Sequence, residues 1–202
     1  MSLELLEIGL LTLMIYRYMR SNNIWMLSRN LFMAHYDNRH IVDADIARSA
    51  GASEHPVSKS SRDLLSDIKS GNNEVYFCQK LLQEWRKHNS LIARTWLSSM
   101  ISSKKAILTK DNLSSLSEEI EEVINEVKIK EIAKKDAHLV ESAKIYGCII
   151  FSNDNNARAA FSKIKEKITS IRGVIWLCPL EKIEEIRSDV LTKKMIRKDN
   201  YL

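Results

Sequence analysis

The sequence predicts an α/β protein: a three-layer α/β/α sandwich around a mostly parallel central sheet, with an N-terminal helical extension. Three observations carry that prediction. Short runs rich in β-formers alternate with longer segments of helical apolar spacing. Such alternation implies parallel pairing with helices on both sheet faces. Only five Gly and two Pro occur in 202 residues, which excludes collagen-like, low-complexity and loop-dominated chains. At 45% hydrophobic and 28% charged residues, the composition is that of an ordinary globular chain of one domain.

Residues 1–38 are read as an extension without a catalytic role, and 39–202 as the domain. Within the extension, residues 8–16 (IGLLTLMIY) are apolar but fall short of the roughly 20 residues a spanning helix needs. Neither a basic start nor a small-residue cleavage site marks a signal peptide. Leu5, Ile8, Leu11, Ile15 and Met19 share one face of a helix. Three readings stay open: a helix packed on the domain, a membrane-surface anchor (ranked low), or sequence upstream of a native start at Met33.

The domain is read as follows. His40-Ile41-Val42 forms a first strand that stops at Asp43-Ala44-Asp45, and a loop with Gly51 and Pro56 comes next. Residues 58–70 form a helix closed by Gly71. Glu74 to Cys78 forms a second strand, and residues 79–101 one long helix. Ala106-Ile107-Leu108 is too short to assign. Residues 117–133 give the cleanest amphipathic helix, with Ile120, Val123, Ile124, Val127 and Ile132 on one side. Asp136 opens a separate helix over 136–146, closed by Gly147. Cys148 to Phe151 is a third strand, 155–169 a helix, Val174 to Leu177 a fourth strand, and 180–191 a last helix.

The three cysteines, Cys78, Cys148 and Cys178, lie far apart in apolar runs. This argues against a disulfide framework or a Cys-based zinc site, and for a reducing, cytoplasmic compartment. The net charge of +5 is uneven: residues 41–110 carry eleven basic and seven acidic side chains. That segment is the candidate polyanion surface.

In open parallel sheets, ligands bind beyond the carboxyl ends of the strands. Those positions are acidic here. Asp43 and Asp45 follow the first strand, Glu84 lies in the helix after the second, Asp154 follows the third, and Asp136 precedes it. Taken singly, each has an ordinary role as turn-former, cap or helix-surface partner. Taken together, clustered carboxylates require neutralisation, and hard oxygen donors favour Mg²⁺ or Mn²⁺. An acidic centre in a basic surround suits metal-dependent phosphodiester hydrolysis.

Residues 40–180 resemble the PIN domain, a metal-dependent ribonuclease fold. The resemblance rests on Ile41-Val42-Asp43-Ala44-Asp45, on Glu84 in LLQEW, on Asp136-Ala137-His138-Leu139-Val140-Glu141-Ser142-Ala143, on Ser152-Asn153-Asp154, and on Val174 to Pro179. It implies an Mg²⁺- or Mn²⁺-dependent endoribonuclease, with Asp43, Glu84, Asp136 and Asp154 both catalytic and metal-holding, and Ser152 supporting. A toxin held by an antitoxin protein, and a homodimer, are further implications. Asp45 departs from the Asn, Thr or Ser more usual there and adds a fifth carboxylate. The extension and the long polar stretch 102–133 also depart from small PIN toxins.

Two metal ions about 4 Å apart would bridge the scissile phosphate, one activating water and one stabilising the leaving 3′ oxygen. Asp43 and Asp154 are expected as direct ligands, Asp136 directly or through water, and Glu84 completing the shell or orienting water. No His is assigned a role; His55 and His88 are read as surface residues. Arg48, Arg62, Arg86, Lys87 and Arg94, with Lys59, Lys104 and Lys105, are the candidate phosphate contacts. Trp85 and Trp96 could stack on bases, though their spacing fits burial better. Two other classes compete: a non-catalytic PIN-like RNA-binding or scaffold domain, and a phosphoacceptor receiver domain. The latter wants a Lys after a late strand, which Ile175-Trp176-Leu177-Cys178-Pro179 does not offer.

Overall fold

The computed structural model describes residues 34–35, 38–110 and 113–202. By compactness the chain divides into two units, Met1–His35 and Tyr36–Leu202. The apolar run of the predicted extension lies outside the described residues. The second unit carries the sheet and the carboxylates.

Five strands form its sheet: β1 (Arg39–Val42), β2 (Glu74–Phe77), β3 (Ala106–Leu108), β4 (Ile149–Phe151) and β5 (Ile175–Leu177). Their order is β3-β2-β1-β4-β5, and every neighbouring pair is parallel. The predicted parallel α/β architecture is therefore present. The chain builds outward from β1 to β3, then returns to place β4 on the other side of β1. The crevice beyond the ends of β1 and β4 is thus the topological switch point.

β4 and β5 are buried from end to end and β1 from His40 onward, as expected when helices cover both faces. Ile41 and Val42 pair in register with Ile150 and Phe151, and these pair with Trp176 and Leu177. All six are fully buried. The segment too short to assign from sequence, Ala106–Leu108, is the edge strand β3, partly exposed.

The helices are α1 (Ala44–Ser49), α2 (Pro56–Ser70), α3 (Gln79–His88), α4 (Leu91–Ser102), α5 (Ser115–Val123), α6 (Val127–Tyr146), α7 (Asn155–Ile164) and α8 (Pro179–Glu185). Four stretches differ from the sequence reading. The helix expected over 79–101 is two, α3 and α4. At the break, Ser90 caps α4 by accepting from the Ala93 N–H at 3.1 Å. Its own N–H and hydroxyl donate to Ala47 O (2.9 Å) and Ala50 O (2.5 Å). Ser90 thus satisfies carbonyls at the end of α1, and the break ties α4 to α1.

The amphipathic stretch 117–133 is also interrupted. Ile124 turns to extended backbone (φ −99°, ψ 118°) while remaining buried, and the chain folds back as the α5–α6 hairpin. Glu121 clasps the hairpin through Lys130 (3.1 Å) and Lys134 (2.6 Å). Asp136 therefore does not open a helix; it sits in the middle of the 20-residue α6. Its backbone is held by helical bonds, and its side chain does not serve as a cap. At the end of α6, Gly147 adopts φ +63°, the left-handed conformation that turns the chain into β4. The third difference is that α7 stops at Ile164, with a 3₁₀ turn at Thr169–Ile171. The last is that α8 gives way to a π-helical segment, Ile186–Leu191. There Arg187 reaches Asp63 (3.1 Å) and Asp67 (2.5 Å) on α2.

Candidate active site

Asp43 ends β1 and prolongs its ladder: its N–H donates to Phe151 O at 2.9 Å. It occupies the cap position of α1, yet its carboxylate caps no N–H. The side chain is left for other work. Ser152 does the same for β4, donating its N–H to Leu177 O at 3.1 Å. The Ser152 hydroxyl, fully buried, donates to Asp43 Oδ2 at 2.8 Å and accepts from the Asp154 N–H at 3.0 Å. One hydroxyl thus fixes the positions of two carboxylate-bearing residues. Asp154 Oδ1 caps α7 through the Ala157 N–H at 2.9 Å. Asp45 Oδ2 accepts from the Asn153 N–H at 2.8 Å, whereas its Oδ1 is buried without a hydrogen bond.

These residues meet in one cleft of about 630 Å³ at the switch point. Asp43, Asp45, Glu84, Asp136 and Asp154 all line it, from the β1 end, α1, α3, α6 and the β4 end. Ser152 lies beneath. Of the predicted cations, Arg48 also lines the cleft. The others do not. Arg62 is engaged by its own loop, donating to Gly51 O (2.7 Å), Ser53 O (3.1 Å) and Glu54 (2.6 Å). Lys59 also turns to Glu54, at 3.9 Å. Arg94 meets Asn89 at 3.4 Å, and Arg86 and Lys87 occupy the exposed side of α3. Lys104 is exposed, and Lys105 donates to Lys69 O at 3.4 Å. Neither Trp85 nor Trp96 can stack on a base, because both are buried. Their indole N–H groups donate to Val42 O (2.8 Å) and Leu65 O (2.5 Å).

Three residues that sequence reasoning left out belong here. Lys135 and His88 line the cleft. His138 is buried on α6 with Nε2 3.3 Å from Glu84 Oε2, out of line for a hydrogen bond. Its link to Glu84 crosses two helices distant in sequence, so no local spacing announces it. Lys135 is the neighbour of Asp136, but a helix opening at Asp136 leaves the direction of Lys135 undefined.

Burial is the first cause of the raised carboxyls in the cleft, and neighbouring carboxylates add to it. Burial, and then the neighbouring Asp43 charge, push the Asp45 carboxyl up to about 8. The same two causes lift Asp136 to about 6, against the pull of Lys135 and His138. Asp43 is raised too, by burial first and also by Glu84, while the Ser152 hydroxyl opposes the rise. Glu84 goes the other way: burial would raise it, but His138, Lys80 and Lys135 outweigh that and hold it below the usual range. Lys135 Nζ stands 3.9 Å from Asp136 Oδ1 and 4.0 Å from Asp154 Oδ2.

Among the described residues, no group of three or more His, Cys, Asp or Glu side chains is placed to hold a metal ion. The oxygens of Asp43, Glu84, Asp136 and Asp154 are nonetheless the donors a hard divalent cation takes. The chain matches no family model and no curated protein. Among the described residues no helix is long and apolar enough to cross a membrane.

Proposed function

We propose that this chain is a metal-dependent endoribonuclease, hydrolysing RNA phosphodiester bonds at the carboxylate cleft with Mg²⁺ or Mn²⁺. One observation carries the reading: Asp43, Glu84, Asp136 and Asp154, scattered over 112 positions of sequence, line one cleft at the switch point. The donor chemistry fits the ion. Burial first, and repulsion between carboxylates second, raise Asp43 and Asp136, and a bound cation would offset both.

Asp43, Asp136, Asp154 and Glu84 would hold the cation. When bound, it supplies Lewis-acid polarisation of the phosphate and lowers the pKa of the attacking water. Asp43 and Asp154 are placed by strand ends and by the shared Ser152 hydroxyl, which limits their movement during turnover. Glu84 is held below the usual carboxylate range, so it is ionised, and it faces the cleft from α3, where it can complete the shell or orient water. Arg48 offers a guanidinium to the phosphate chain of RNA.

The strand order disfavours the receiver alternative, whose flavodoxin-like sheet runs 2-1-3-4-5, against β3-β2-β1-β4-β5 here. The non-catalytic PIN-like reading is separated by experiment. A mixed pool of structured RNA is incubated with Mn²⁺, Mg²⁺ or chelator, using wild type and Asp154→Asn. Cutting that needs metal and is lost in the variant supports the nuclease reading. RNA binding without cutting by the wild type moves the assignment to a non-catalytic binder.

A further inference from the structure

We infer that Lys135 is a mobile counter-cation of the cleft: it screens Asp136 and Asp154 when metal is absent and moves to a substrate phosphate when metal is bound. This rests on the nuclease reading and adds a substrate-contact residue to it. Two distances support it. The Lys135 ammonium is 3.9 Å from Asp136 Oδ1 and 4.0 Å from Asp154 Oδ2, nearly equidistant from two proposed metal ligands on different elements. Both are too long for a hydrogen bond, so the ammonium is held by field rather than by a fixed bond.

The side chain is 69% exposed, while that of Asp136 is 7% exposed. The charge therefore sits on the solvent side of the carboxylates, at the mouth where a substrate must arrive. Its backbone, by contrast, is fixed. Residue 135 lies within α6, and its carbonyl accepts from Lys80 Nζ at 2.6 Å. The result is a long flexible cation on a rigid base.

A divalent cation on Asp136 and Asp154 would repel this ammonium by like charge. The side chain is then free to swing outward. Once substrate is bound, a phosphodiester brings an anion to the cleft mouth, and lysine meets phosphate as a point charge from many directions. Arg48, on the same cleft, supplies a second contact from α1. The arrangement orders events: metal first, then a freed lysine, then the phosphate chain.

The test uses the full chain and Lys135→Gln, whose exposed site leaves folding intact. Mn²⁺ affinity is measured by calorimetry without RNA. Affinity for a fluorescein-labelled single-stranded RNA dodecamer is then measured by stopped-flow anisotropy across a salt series, with Mn²⁺ and with chelator. Removing a competing cation about 4 Å from the ligands should tighten Mn²⁺ binding roughly threefold to tenfold. With Mn²⁺, the variant should bind RNA more weakly, its salt slope smaller by about 0.7 for one lost phosphate contact. In chelator the two proteins should differ little. Unchanged Mn²⁺ affinity together with an unchanged salt slope would overturn the role of Lys135 and leave the nuclease reading standing. No Mn²⁺ binding by wild type would overturn both.

Discussion

Asp45→Asn tests the electrostatic account of the cleft, because it removes one ionisable group and almost no volume. The Asp45 carboxyl is lifted from 3.8 to about 8 by burial and by Asp43. Between about pH 4 and pH 8 the unfolded chain has released this proton and the folded chain still holds it. The folded state thus binds more protons, and stability falls as pH rises through that window. A lift of that size corresponds to roughly 6 kcal/mol at full deprotonation. Solvent at the cleft mouth and relaxation around the ionised group reduce the expected effect to about 2 kcal/mol. Asparagine keeps the oxygen that accepts from the Asn153 N–H. The variant should match wild type near pH 4 and exceed it by about 2 kcal/mol at pH 8.5, or about 4–8 °C in Tm for a unit of this size. Thermal unfolding in chelator, at four pH values, reads this directly. A variant no more stable than wild type at pH 8.5, or one whose advantage is the same at every pH, would refute the reasoning.

Three further outcomes are expected. Ser152→Ala removes a bond to an ionisable oxygen and strands the Asp154 N–H. It should cost about 2–3 kcal/mol by urea unfolding and raise the pH needed for half-maximal Mn²⁺ binding, since Asp43 loses a group that favours its charged form. Arg62→Ala frees the loop at Gly51 to Glu54 and should cost about 1 kcal/mol while leaving RNA cleavage within twofold; a tenfold loss of cleavage would return Arg62 to the substrate contacts. Gly147→Ala meets only ordinary contact, its nearest neighbour being Arg39 Nη2 at 3.7 Å, so its cost of about 1 kcal/mol should come from the left-handed backbone alone. Thermal denaturation checks it.

The sheet was legible because its central strands are short apolar runs bounded by Asp, Gly and Pro. The carboxylates were legible because strand ends in a parallel sheet point to one edge. The helix breaks were not. Ser90 ends one helix by satisfying carbonyls of α1, a contact between segments 40 residues apart. Ile124 leaves the helix although its spacing fits, and it is buried there in extended backbone at the turn of the hairpin. Among the cations, side-chain reach hid the outcome. Nearness in sequence to Asp43 favours Arg62, yet its guanidinium is taken by loop carbonyls. Lys135 comes near Asp154, and His138 near Glu84, only in the folded chain.

The strand order divides the four proposed ligands between two stretches of chain. Asp43 and Glu84 come before β3, and Asp136 and Asp154 come after it. Cut between β3 and α5, each piece would carry two of the four carboxylates and one side of the sheet. Neither piece could assemble the centre, because β1 must lie against β4 to bring Asp43 under the Ser152 hydroxyl. On the proposed nuclease reading, cleavage would be a property of the rejoined halves. Two inert fragments, mixed and annealed, would report their own association by the appearance of activity.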